Sequence, residues 1–255
     1  MSLNPKLPDW NGQRVWLIGA SSGIGEATAR LLMQRGARVA LSGRKRDALA
    51  ALADAHAHVA VADVTDRASL QAAFDAICAA FGGIDVAIVN AGTHQPIRAW
   101  ALDAVAAEKL VQVNLLGAIN VSALLAPYFA QRGGGHLALT ASVAGYGGLP
   151  TGLVYGATKA ALINFAETLY LDLAPKGVAV HLINPGFVKT PLTDLNDFTM
   201  PALIGPDEAA REILTGIERG QFEIHFPKRF TRLLKLLNLL PYRAYFPLVH
   251  RITGL

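Results

Sequence analysis

The chain has 255 residues, 52% hydrophobic and 16% charged, with a formal net charge of +4. That length suits one domain with a sizeable core, and a single cysteine, Cys78 among apolar neighbours, excludes a disulfide framework and reads as a small buried hydrophobe. The positive balance does not point to nucleic acid: Lys228, Arg229, Arg232, Lys235, Arg243 and Arg251 lie in a tail without acidic residues, so the body before it is slightly negative.

No basic start followed by an apolar run opens the chain, so a cytoplasmic protein is expected. From there, short β-branched apolar runs alternate with helical stretches: "RVWLIG" then "GIGEATARLLMQRG", "ARVALSG" then "RDALAALADA", "HVAVAD" then "DRASLQAAFDAICAAFG", then "IDVAIVNAG". Later strands fall at "GHLALTAS", "VAVHLINPG" and "QFEIHF", with helices near residues 103–132, 153–174 and 206–219. Unbroken apolar strands separated by helix-length crossovers predict an α/β fold, a Rossmann-type doubly wound parallel sheet of about seven strands with helices on both faces. Residues 137–158 are uncharged and long enough to span a bilayer, but their glycines, Pro150 and hydroxyls mark a buried interior and a loop instead. A catalytic domain over 1–227 followed by an extension over 228–255 is the expected organisation.

The first strand runs into "GASSGIG", where Gly19, Ser21, Ser22, Gly23, Ile24 and Gly25 open the next helix. Such a turn lets backbone approach a pyrophosphate, whose charge the helix N-terminus favours. A carboxylate ending the second strand would hold a ribose 2′-hydroxyl and repel a 2′-phosphate. Gly43 stands there instead, followed by Arg44, which offers a cationic fork to a phosphate and favours NADP(H) over NAD(H). Asp63, followed by Val64, ends the third strand where adenine is expected.

In "LVYGATKAAL", Tyr155 and Lys159 share a helix face. A phenol with a pKa near 10 works poorly at neutral pH, and a nearby ammonium lowers the cost of its anion. Ser142 in "LTASVAG" precedes the pair, Asn90 lies in "VNAG" and Asn114 in "VQVNLLG". With "GASSGIG", "DV" and "NPGFVKT", these motifs occur in an order that resembles the short-chain dehydrogenase/reductase family in its compact single-domain branch, over roughly residues 12–225.

The resemblance implies a catalytic set of Asn114, Ser142, Tyr155 and Lys159. Tyr155 would be the general acid in reduction and base in oxidation. Lys159 would lower its pKa and hold the nicotinamide ribose, and Ser142 would bind the substrate oxygen. Asn114 would interrupt its helix and hold a water leading from Lys159 to solvent. Cofactor contacts carry over to Gly19, Gly23, Ile24, Asp63, Asn90, Ala91, Gly92, Pro185, Gly186, Val188 and Thr190. Ile18 departs from the threonine usual before the first glycine, and Ser22 stands where many NADP-dependent members carry a base. The long helices resemble those of the family's usual dimer, so a homodimer or homotetramer is expected. The implied reaction interconverts a carbonyl and a secondary alcohol; the alternatives are a non-catalytic NADP-binding regulator and a membrane-associated reductase of lipid-type ketones.

Substrate contacts are expected from the lid "TPLTDLNDFTMPALIG", with Leu192, Leu195 and Phe198, and from His94 and Ser142. No Arg or Lys lies between Lys189 and Arg211, which favours an uncharged apolar or amphipathic substrate. No metal site and no nucleic-acid partner are read. In the tail, Phe230, Leu233, Leu234, Leu237 and Leu240 form an amphipathic stripe opposite Lys228, Thr231, Arg232, Lys235 and Asn238, with Leu239 on the polar side. The default for such a stripe is packing on its own domain or a partner. The alternative is an anionic membrane surface.

Overall fold

A computed structural model describes residues 2–196 and 198–254. Seven parallel strands, β1 (Arg14–Ile18), β2 (Arg38–Ser42), β3 (Ala57–Val59), β4 (Val86–Val89), β5 (Gly135–Thr140), β6 (Val178–Pro185) and β7 (Glu223–Phe226), form one sheet in the order β3-β2-β1-β4-β5-β6-β7. This is the doubly wound Rossmann-type arrangement that the alternating pattern predicts. The winding direction reverses between β1 and β4, which opens a crevice beyond their carboxyl ends.

Side-chain alternation along each strand divides the core into two layers. Trp16 and Ile18, Ala87 and Val89, and Leu137 and Leu139 face α3 (Arg67–Phe81), α5 (Gly117–Arg132) and α6 (Leu153–Leu173). Val15 and Leu17, with Val86 and Ile88, face α1 (Gly23–Gln34), α2 (Arg46–Leu52) and α7 (Pro206–Glu218). The short helix α4 (Ala104–Val111) stands apart and packs Ala106 and Leu110 with Ile97 beside Tyr155. The helical run from Ala104 to Arg132 is apolar enough to span a bilayer by length and composition, yet Val121, Leu125 and Phe129 are fully buried against the sheet. Cys78 is half-buried at the edge of the same layer, where burial pushes its thiol pKa up.

One strand boundary and one helix orientation differ from the expectation. Strand β3 is only three residues long, and the rest of "HVAVAD" follows β2 through single backbone bonds, from the Ala60 N–H to the Leu41 carbonyl at 3.1 Å and from the Ala62 N–H to the Gly43 carbonyl at 3.3 Å. Beyond β7 the tail folds into α8 (Lys228–Asn238) and α9 (Tyr242–Thr253), and the orientation of α8 departs from the expected one. Thr231, on the polar side of the stripe, is fully buried, whereas Leu233 and Leu240 are exposed. The reason is polar. The Glu223 carboxylate ends up half-buried on β7, where it requires partners. Lys235 supplies a salt bridge to it, Tyr146 donates at 2.6 Å and Asn184 at 2.9 Å. Burial works against the Glu223 carboxylate, but these donors outweigh it and hold its pKa below the usual carboxylate value. His225 on β7 adds a 2.5 Å contact to the Thr231 hydroxyl, so two polar ties turn this side of α8 inward.

On the neighbouring strands β5 and β6, His136 and His181 stack with their planes 5° apart. The Gln221 carbonyl lies 2.6 Å from His181 Nδ1, which must therefore donate; His181 Nε2 then accepts from His136 Nδ1 at 3.0 Å. This arrangement requires a neutral His181 ring, and burial keeps His136 neutral beside it. Burial lowers the pKa of His136 to about 4 and that of His181 to about 3, from 6.5. The unfolded chain therefore binds more protons than the folded one below pH 6.5, so the stability this pair contributes is complete above that pH and is lost as pH falls toward the folded values. The thermal midpoint is expected to drop by several degrees between pH 7 and pH 5; an unchanged midpoint in calorimetry would contradict the neutral pair.

Candidate functional site

The carboxyl ends of β1, β4, β5 and β6 supply the site. The turn after β1 is held tightly: a β-carbon on Gly25 would stand 2.0 Å from the Gly19 carbonyl oxygen, so no side chain is accommodated there. The Asn90 amide reaches the same carbonyl at 3.4 Å, which ties the end of β4 to the turn. Ser22 stands at the N-terminus of α1 in extended conformation and makes no side-chain capping bond, which leaves the first backbone N–H groups of the helix without a partner from it. Thr190, after β6, lies against Gly23, and Thr193 fastens this segment by donating to the Val188 carbonyl at 2.7 Å. Val188 is buried, and Pro185 and Gly186 lead from β6 into it.

Beside this turn opens a cavity of about 470 Å³ lined by Arg44, Asp63, Thr65, Glu108, Lys109 and Val113, among others. Burial works against the Asp63 carboxylate, but hydrogen bonds from Thr65 (2.9 Å from its N–H, 2.8 Å from its hydroxyl) and the charge of Arg44 hold its pKa below the usual range. Val64 is buried behind it. A β-carbon on Gly43 would meet Ser21 and Leu49 only at ordinary contact distances, so this glycine leaves space without being sterically required. The turn, the cavity and the cation together fit a dinucleotide: a narrow backbone cradle for phosphates and a wider polar recess for an adenosine end.

The second half of the site forms where α6 lies against the segment leaving β5. Ser142 Oγ accepts from the Ala144 N–H at 3.1 Å and starts a short turn, Val143–Gly145. A β-carbon on Gly145 would come within 2.7 Å of the Lys159 carbonyl carbon, so glycine allows this turn to rest directly on α6. That approach sets Ser142 opposite Tyr155. Burial raises the Tyr155 pKa, and hydrogen bonding with Ser142 works in the opposite direction. Lys159 is buried with no carboxylate partner among the described residues, and its pKa is lowered by burial to about 8. Its ammonium stands 5.6 Å from the Tyr155 ring centre and donates to the Thr140 carbonyl at 2.9 Å.

Asn114 sits in a π-helical turn, Gln112–Leu116, between α4 and α5, the interruption that the family resemblance implies. Its side chain is buried and clamps the loop after β4, accepting from the Thr93 N–H at 2.7 Å and donating to the Thr93 carbonyl at 2.9 Å. From the position a β-carbon would take on Gly92, Asn114 Oδ1 is 3.4 Å away and Lys159 Nζ 3.7 Å, which puts both beside the Ala91–Gly92 segment.

The clamped loop carries His94, whose ring meets Tyr155 edge-on at 4.7 Å between centres. Burial lowers the His94 pKa, the Asn196 side chain acting the other way, and its Nδ1 is buried without a hydrogen-bond partner. The lid is less closely joined to this centre. Leu192 is half-buried, Leu195 is exposed, and Phe198 turns its ring edge-on to Phe187, itself 5.7 Å from Phe230 of α8. Asp197 lies outside the described residues. Sequence reasoning missed Thr93 and Thr140, whose parts are played by backbone atoms and leave no side-chain signal. It also missed Asn196, a single polar residue in a lid read for its apolar positions.

Comparison with known proteins agrees with this geometry. The family model described as short chain dehydrogenase matches residues 13–198. An uncharacterized oxidoreductase of Myxococcus xanthus is 35% identical over 231 residues, 88% of this chain and 91% of the relative. A short chain dehydrogenase/reductase of Burkholderia phymatum, solved in complex with NAD, superposes with a TM-score of 0.82 at 26% identity, covering 90% of this chain and 94% of that one. A short-chain dehydrogenase of Sphingobium yanoikuyae, solved in complex with NADPH, gives 0.77 at 28% identity, covering 90% and 97%.

Proposed function

The chain belongs to the short-chain dehydrogenase/reductase family and is an oxidoreductase acting on CH–OH or C=O groups, and from that premise we propose that it uses NADP(H) and Tyr155 to interconvert an uncharged apolar ketone and its secondary alcohol. The observation that carries this reading is the meeting of Ser142, Tyr155, Lys159 and Asn114 beside a glycine turn fit for a dinucleotide. When bound, the nicotinamide supplies or accepts the hydride. Gly19 to Gly25 would hold its phosphates, and Asn90, Ala91, Gly92, Pro185, Gly186, Val188 and Thr190 would line the path of the molecule across the crevice.

Tyr155 gives its proton to the substrate oxygen in reduction and takes it back in oxidation, while Ser142 holds that oxygen in place. Tyr155 carries its proton at neutral pH, and hydrogen bonding with Ser142 offsets part of the rise that burial imposes on its pKa, as a proton donor requires. Lys159, whose pKa burial lowers to about 8, stands beside Asn114 and would pass protons toward Tyr155. Asn114 positions Thr93 and with it the loop bearing His94. His94 and the lid residues Leu192, Leu195 and Phe198 make up the substrate side, where apolar groups outnumber charges. A non-catalytic nucleotide-binding regulator fits less well, since the acid/base group, its oxygen-binding neighbour and the lysine are all present together.

Arg44 supports NADP(H), because its guanidinium borders the cavity from the end of β2 and no carboxylate stands at Gly43 to repel a 2′-phosphate. The reading includes residues 1–227 as the catalytic unit and a cytoplasmic homodimer or homotetramer, consistent with Leu116 and Leu171 left exposed on the long helices.

Replacing Tyr155 with Phe is expected to leave nucleotide affinity intact and to lower kcat about a thousandfold. Retained turnover in a steady-state assay would refute the assignment. Substituting Arg44→Ala should weaken NADPH binding about tenfold or more while changing NADH binding little, since it removes one charge-assisted phosphate contact. Equal losses for both nucleotides in calorimetric titration would count against the NADP(H) preference.

A further inference from the structure

The inward turn of α8 has a second consequence: Leu233 and Leu240, which the sequence assigns to packing, are left outside together with Leu236 and Leu239, while Leu234 and Leu237 stay inward. Leu236 is 62% exposed and Leu239 80%, with Leu233 and Leu240 on the same outer arc of the helix. Arg229 and Arg232 share that arc. On α9, Tyr245 and Val249 take the inward positions, and Tyr245 donates to the Gly148 carbonyl at 2.8 Å. Tyr242, 75% exposed, and Phe246 stack at 5.3 Å outside, near Arg243 and His250 in sequence. Among the described residues, no carboxylate lies within salt-bridge distance of Arg229, Arg232 or Arg243. No acidic residue follows Glu223, whose own charge is taken up by Lys235.

We propose that α8 and α9 form an interfacial docking surface for an anionic phospholipid bilayer. Charge selects this occupant. A second copy of the chain meeting the face across a two-fold axis would bring the same unpaired arginines opposite one another, which is unfavourable. An anionic lipid surface supplies the missing counter-charge, and its acyl boundary accepts leucines and amphipathic aromatic rings set among bases. The polar ties to Glu223 and Thr231 fix the orientation, so the leucines point away from the body before any lipid is met.

The surface is coupled to the site. The inner sides of α8 and α9, through Leu234, Leu237, Tyr245 and Val249, close on Val143 and Leu149 of the segment that follows Ser142. The lid reaches α8 through Phe198, Phe187 and Phe230. A bilayer docked there would lie beside the substrate loops and deliver an amphipathic molecule from the lipid phase; this last point rests on the proposed ketone chemistry, whereas the docking does not.

The full-length protein is tested by co-sedimentation with vesicles of phosphatidylglycerol and phosphatidylcholine, and with phosphatidylcholine alone. Binding at least tenfold stronger to the anionic vesicles, weakened by added salt, is expected. Leu236→Glu with Leu239→Glu, and separately Arg232→Glu with Arg243→Glu, should each lower it at least tenfold while leaving the thermal midpoint and nucleotide affinity unchanged, because all four side chains are exposed. Failure to bind anionic vesicles would overturn the proposal, as would binding unchanged in either variant. A wild-type oligomer that the leucine variant dissociates, seen by sedimentation velocity without vesicle binding, would assign the face to a second copy instead.

Discussion

Parallel pairing of β1, β4, β5 and β6 is the constraint on which the rest depends. It forces each of these carboxyl ends to one edge of the sheet, and with them the nucleotide turn, the Asn90 segment, Ser142 and the Val188–Thr190 segment. Parallel strands need long crossovers, and these place helices on both faces, so the edge is the one region where loops gather without covering each other. Chemistry at the reversal between β1 and β4 follows from topology before any particular side chain is considered.

Close approaches of backbone then refine this edge. The turn after Ser142 rests on α6 because Gly145 has no side chain, and that contact settles the distance from Ser142 to the Tyr155 face of the helix. The π turn at Asn114 gives up regular helix geometry and gains a carboxamide aimed at the Thr93 backbone. Such a turn interrupts the regular ladder of an otherwise continuous helix, and it is this interruption that permits the clamp. His94 follows Thr93 directly, and the clamp therefore also sets the ring that meets Tyr155.

Much of this was legible in the chain and some was not. Strands buried on both faces read as unbroken apolar runs, so "RVWLIG" and "VAVHLINPG" announced themselves, and the separated motifs ordered the site residues along the sheet edge. The face that α8 turns inward could not be read from its stripe. Periodicity identifies an apolar face, but Glu223 on β7 needed a cation, and the contact between Lys235 and that carboxylate decided the rotation. The Lys159–Tyr155 relation was legible from spacing and from the resemblance, but that the amine also donates to the Thr140 carbonyl depends on a backbone atom at the end of β5. The stacked His136–His181 pair escaped notice for the same reason, since the register of β5 on β6 brings the two together.

The central claim is that hydride passes between a nicotinamide and a carbon whose oxygen Tyr155 serves. Its most direct test is to incubate the protein with NADPH deuterated at the transferring position of nicotinamide C4 and a panel of uncharged apolar ketones, and to analyse the recovered alcohols by mass spectrometry. The account predicts one deuterium on the carbinol carbon of each alcohol formed. Alcohol formed without that label, or no saturable binding of either NADPH or NADH, would contradict it.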